Sequence, residues 1–203
     1  MTIFKSLLSF LGAACASAFV VLSLWVDIYF WDYNISELSL TEIVQESVLT
    51  AIVFIHFLLA RRYKAMRYCN ILVGGFFLAM LIRELDALFD LIAHGSWVWF
   101  ALIAALLALI HPVIHYRQTL HQLAQYTRTP WYGLLISGLL AILVFSRLFG
   151  MQALWLAILD GGYVRVVKNV VEEGSESFGY MLCLTASIGY FCTFRETLAQ
   201  KSY

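Results

Sequence analysis

The sequence predicts an all-α membrane protein, a polytopic bundle of six transmembrane helices with one short interfacial helix. Three observations predict it. Apolar runs of about 20 residues recur along the chain, the length a helix needs to cross a bilayer. Charged residues make up 13% of the 203, about half the share usual in a soluble domain. The basic residues fall mostly on one side of a six-span arrangement. The 13 basic and 13 acidic residues balance, so nucleic acid is excluded as a partner and the bilayer is the one that composition names. Two prolines and no Gly/Ser linker point to a single transmembrane domain over residues 1–203.

Ser6 to Trp31 reads as the first span. Ala13, Ala14, Ala16 and Ala18 mimic a signal peptide, but the run stays apolar to Val26 and no polar mature region follows. An uncleaved helix is therefore expected, with Asp27, Asp32 and Glu37 at its far end. Leu40 to Ala60 is the second span, with Thr41 as the expected N-cap. Arg61, Arg62, Lys64 and Arg67 form a basic loop. The third span runs from Cys69 to about Ala93, its Gly74-Gly75 pair suited to close helix contact. Ser96 to about Tyr116 is the fourth, bent by Pro112. Arg117 to Thr129 reads as a polar connection and Trp131 to Phe149 as the fifth span. Met151 to Leu159 is too short to cross and belongs in the interface, with Trp155 at headgroup depth. Gly161-Gly162 breaks the chain before a last helix from about Tyr163 to Phe194.

Lys5, Arg61, Arg62, Lys64, Arg67, Arg117, Arg128, Arg195 and Lys201 share one side, which the positive-inside rule makes cytoplasmic, with both termini there. The cysteines Cys15, Cys69, Cys183 and Cys192 show no CxxC spacing and no disulfide framework, and read as small packing residues.

Acids gather on the outer side. Glu172, Glu173 and Glu176 stand three and four apart at the mouth of an apolar run, so they crowd one helix sector. Glu46 lies roughly 9 Å inside the second span and Glu84 about 13 Å inside the third. Ionisable groups at such depth suggest function by default. The candidate cation or proton site is therefore Glu46, Arg83, Glu84, Asp86, Glu172, Glu173 and Glu176, with Arg83 as counter-ion and His94 as a possible additional metal ligand. Oxygen ligands without cysteine suit a hard divalent cation such as Mg²⁺, Ca²⁺ or Mn²⁺. The alternative is that these groups are internal salt bridges and solvated acids. On the last helix Asn169, Glu173, Glu176, Tyr180, Cys183, Ser187 and Tyr190 form a polar seam that should face protein or water.

His111 and His115 share a helix face at the i, i+4 spacing of metal chelation, and His56 is expected at similar depth. These three are the candidate ligands for b-type haem or a metal, against the simpler reading of interfacial histidines. No Walker A, GxSxG or GxGxxG pattern occurs. The HxxxH pair lies on the fourth span, unlike that of seven-helix ceramidase-like hydrolases. Arg83-Glu84-Leu85-Asp86 lacks the glycine and second glutamate of iron-permease motifs. The set Thr41-Glu42-Gln45, Arg83-Glu84-Asp86 and Glu172-Glu173-Glu176 resembles bacterial multi-pass inner-membrane proteins. That resemblance implies an inner-membrane location and no function. Three classes stay open: an ion-binding or transporting protein, a membrane enzyme (a metal-dependent hydrolase or a haem redox protein), and a non-catalytic subunit.

Overall fold

The computed structural model describes residues 3–30, 39–159 and 165–201. Trp31, Asp32, Glu37, Gly161, Gly162 and Tyr163 lie outside the described residues, as do the side chains of Lys5, Ser6, Arg195, Glu196 and Lys201. The protein is an all-α polytopic membrane helix bundle, with no strand among the described residues. In chain order the helices are α1 (Ile3–Phe30), α2 (Leu40–Arg62), α3 (Arg67–Glu84), α4 (Asp86–Asp90) and α5 (Trp97–Ile114). They continue with α6 (Tyr116–Thr127), α7 (Pro130–Leu140), α8 (Ser146–Phe149), α9 (Gln152–Leu159) and α10 (Arg165–Lys201). A π-helical turn, Ala141–Phe145, joins α7 to α8. Among the described residues six segments are long and apolar enough to cross a membrane: Phe10–Phe30, Leu40–Arg62, Lys64–Glu84, Trp97–Ile114, Pro130–Phe149 and Arg165–Phe194. The eight-residue α9 is not among them.

Two expectations change in detail. The third span ends at Glu84, because Leu85 leaves helical geometry and α4 starts afresh as a short helix. Asp86, Asp90 and His94 therefore do not continue the α3 face that carries Arg83. The supposed connection at 117–129 is the amphipathic helix α6, which buries Thr119, Gln122 and Tyr126. Its polar groups finish other helices. Gln122 Oε1 accepts from the N–H groups of Tyr68 and Cys69 at 2.9 and 3.1 Å, in the first turn of α3. Thr119 Oγ1 donates to the Pro112 carbonyl at 2.8 Å, near the end of α5. Helix ends within apolar surroundings need such partners.

The chain forms two compact units. The first is Met1–Gln45 with Ile136–Cys183, and the second Glu46–Leu135 with Leu184–Tyr203. In the first, α7 and α10 meet at Gly138 and Gly179. A Cβ on Gly138 would lie 2.7 Å from the Gly179 carbonyl oxygen, and one on Gly179 would lie 2.8 Å from that of Gly138. Backbones this close admit only hydrogen at both positions. The contact continues along Ile142, Ser146 and Gly150, four residues apart each time; Ile142 touches Gly179, Ser146 reaches Glu176, and Gly150 abuts Glu172. Four residues overshoot an α-helical turn by about 40°. The π turn between Gly138 and Ser146 winds more slowly and returns the stripe to α10.

In the second unit α3 meets α5 at Gly75, where an added Cβ would collide with that of Ala108. Leu49, Ile52, Leu59 and Phe77 are fully buried there. So is a polar group: His56 Nδ1 is 2.8 Å from Asn70 Oδ1, and His56 Nε2 is 3.1 Å from Ser187 Oγ. Asn70 Nδ2 donates to the Met66 carbonyl at 2.8 Å. The seam on α10 turns inward as its spacing predicts, with Glu176, Tyr180, Cys183, Ser187 and Tyr190 all buried.

Candidate functional site: the carboxylates of the first unit

The site begins with how α2 starts. Ser39 Oγ accepts from the Glu42 N–H at 3.1 Å, and Glu42 Oε2 accepts from the Ser39 N–H at 3.5 Å, a capping box. Ser39, and not Thr41, is therefore the cap. Asp27 of α1 completes the end. Its two oxygens accept from the N–H groups of Leu40 and Thr41, each at 2.8 Å, and Thr41 Oγ1 donates to it at 2.5 Å. A carboxylate against a helix N-terminus is stabilised by the helix dipole. One turn further, buried Gln45 donates through Nε2 to Ser177 Oγ at 2.7 Å and lies 3.4 Å from the Glu173 carbonyl oxygen. α1, α2 and α10 thus bring their acids together.

On α10 the three glutamates have different surroundings. Glu176 is 5% exposed and is contacted by the Arg147 guanidinium, with Ser146 Oγ at 3.2 Å. Glu172 receives Arg147 Nη1 at 3.3 Å and Lys168 Nζ at 2.8 Å. Glu173, half-buried, has no cation or donor on its carboxylate among the described residues. The charges acting on it are chiefly negative, from Glu42, Asp27 and Glu172, against the Lys168 ammonium.

The second unit holds the other sequence-predicted residues. Arg83 contacts its neighbour Glu84. Glu84 in turn acts electrostatically on Glu46, which is half-buried on α2. The counter-ion of Glu176 is thus Arg147 rather than Arg83. In the sequence the stripe of Gly138, Ile142, Ser146 and Gly150 marks a close-packing face beside Arg147 but does not say which helix it meets. Asp86 is exposed. Asp90 accepts from the Gly95 N–H and pairs with His94 Nδ1, both at 2.8 Å. The Gly95 N–H foremost, then His94, hold the Asp90 carboxyl below its ordinary value. Gly95 itself has φ of +75°, the left-handed geometry that glycine takes without strain.

Two cofactor expectations meet geometry that does not suit them. Among the described residues no group of three or more His, Cys, Asp and Glu converges as a metal-ligand set. His94 is spoken for by Asp90, and Arg147 and Lys168 occupy the oxygens of Glu172 that a cation would need. For haem, His56 engages both ring nitrogens with Asn70 and Ser187, which leaves iron no lone pair without breaking a buried network. His115 lies beyond the last residue of α5, its Nδ1 at 3.1 Å from the His111 carbonyl oxygen and its ring stacked on Tyr68. The second histidine of the expected i, i+4 pair is thus the cap residue of α5, its Nδ1 set on the His111 carbonyl and its ring on Tyr68.

Sequence and structure together establish an integral membrane protein with an acid-rich group on α1, α2 and α10. Comparison with protein-family models, with curated proteins and with solved structures gives no match.

Proposed function

We propose that the protein binds a proton at Glu173 and uses the surrounding carboxylates to pass protons, or ions coupled to them, across the membrane. The observation that carries this reading is the contrast along α10. Glu172 and Glu176 have cationic partners, whereas Glu173 stands half-buried among Asp27, Glu42 and Glu172 with none on its carboxylate among the described residues. Glu172 and Glu176 are engaged in ion pairs, and Asp27 is held by the α2 N-terminus. Glu173 is left as the group that can change charge at least cost. A proton taken up there removes repulsion from three neighbours without displacing an ion pair. We place the protein in a bacterial inner membrane with both termini cytoplasmic, which puts this group on the outer side.

Infrared difference spectra of the purified protein, recorded through an acid–base titration, test the proposal. A carboxylic C=O band should appear on acidification and vanish in Glu173→Gln. In proteoliposomes with an imposed pH gradient, the same substitution should abolish proton flux. A band and a flux unchanged in Glu173→Gln would refute the assignment.

A further inference from the structure

The second unit carries an apolar groove of about 690 Å³ formed by α2, α3 and α5, with Phe89 of α4 at one end. That volume lies within the range of about 300–1,000 Å³ typical of ligand sites. Phe57, Ile71, Ile103 and Leu107 form its walls. The other end is basic, where Arg61 closes α2, Arg67 opens α3 and His111 stands in the last turn of α5. From Phe100 to His111 the groove follows α5 for about 16 Å at about 1.5 Å per residue. That is roughly half of a hydrocarbon core about 30 Å thick, or one leaflet.

The charges at this end lack an internal answer. Arg67 donates through Nε to the Ala60 carbonyl at 3.3 Å, and Arg61 is exposed. Among the described residues no carboxylate pairs with either guanidinium. Arginine suits phosphate, which it meets with a planar fork of donors. The apolar walls meanwhile stay open to the side: Ile103 is 55% and Leu107 62% exposed on a membrane-spanning helix. Such a groove is filled from the bilayer.

We infer that the groove holds one acyl chain of an anionic glycerophospholipid from the leaflet at the α2–α3 loop, with the lipid phosphate against Arg61 and Arg67. The charge complementarity selects an anionic lipid, and the one-leaflet length selects a chain anchored at that end. This site is independent of the carboxylates of the first unit.

Native mass spectrometry of the full chain in detergent, titrated with phosphatidylglycerol or with phosphatidylcholine of the same acyl chains, tests it. Phosphatidylglycerol should be retained at roughly thirtyfold lower concentration, from about 1 kcal/mol for each of two arginines. The double variant Arg61→Gln/Arg67→Gln should erase that preference. Ala104→Trp, which fills the groove, should remove adducts of both lipids. Circular dichroism and size-exclusion profiles identify a variant that does not fold, and the double variant changes only two side chains at the facing ends of α2 and α3, so it decides the matter if Ala104→Trp fails to fold. Equal retention of the two lipids by the native chain, or an undiminished preference in the double variant, overturns the proposal. Displacement of phosphatidylglycerol by inorganic phosphate alone would overturn the acyl-chain assignment.

Discussion

Arg147 is the residue on which the first unit's electrostatics turn. It serves Glu176, which is 5% exposed, and Glu172, while its own side chain stays 44% exposed. Removing one partner of a buried ion pair strands the other and costs about 3–5 kcal/mol; half-exposure of the guanidinium places Arg147→Ala near the lower end. Glu176→Gln alone should cost less, because the amide keeps the Ser146 contact and needs no counter-ion. The two changes together should fall well short of additive, and thermal unfolding of the four proteins in detergent measures the coupling. Additive losses would mean that the pair contributes nothing. Residues at this scale were only partly legible. The acids could be found from their depth, because an ionisable group inside an apolar run is conspicuous. Their partners could not, because a third span read to about Ala93 puts Arg83 deep inside it and leaves Arg147 at the edge of the fifth, whereas α3 ends at Glu84 and helix rotation decides which arginine reaches α10.

Helices were easier to read than their ends. Apolar runs longer than any soluble helix needs gave the spans, since in lipid the backbone must satisfy itself internally. The end of α3 was missed because Asp86, Leu88, Phe89 and Asp90 continue a helical pattern that Leu85 interrupts through its backbone alone. α6 was missed for the opposite reason: its inward face is Thr119, Gln122 and Tyr126, which carry no apolar periodicity. Small residues were the better guide. Gly138 and Gly179 bring α7 against α10 with carbonyl oxygens 2.7–2.8 Å from where a side chain would begin. Gly179→Ala should push the helices apart, lower the melting temperature and weaken the Arg147–Glu176 pair. Gly133→Ala on α7, with nothing within 4 Å of its Cβ position, should be neutral or slightly stabilising. Equal effects of the two substitutions would contradict the close crossing.

For the molecule as a whole, topology is what decides how the carboxylates meet their surroundings. The basic loop at Arg61, Arg62, Lys64 and Arg67 and the turn at Asp90–Gly95 lie at opposite ends of α3. Reporters fused just after Lys64 and just after Gly95 should therefore respond from opposite faces of the membrane, the first from the cytoplasm. The same response from both would remove the six-span order. The His56–Asn70–Ser187 group shows what spacing does not reveal: an i, i+4 histidine pair with a third histidine at similar depth invites a ligand, and only the neighbours of His56 identify it as a hydrogen-bonded core residue.

The π turn at Ala141–Phe145 also says something about the length of the chain. A helix that winds wide for one turn has accommodated a supernumerary residue, keeping the segments on either side in their places. Delete Leu143, which is exposed, and the stripe becomes 138, 142, 145, 149 in the shortened numbering. That is an ordinary α-helical repeat, with the guanidinium still turned toward Glu176. The shortened protein should fold and remain as sensitive to loss of that arginine as the original. Deleting exposed Phe178 from α10, where no slack exists between Glu176 and Gly179, should swing one of the two away and prevent assembly. Chains related to this one by descent should accordingly differ by single residues at 141–145 far more readily than along α10.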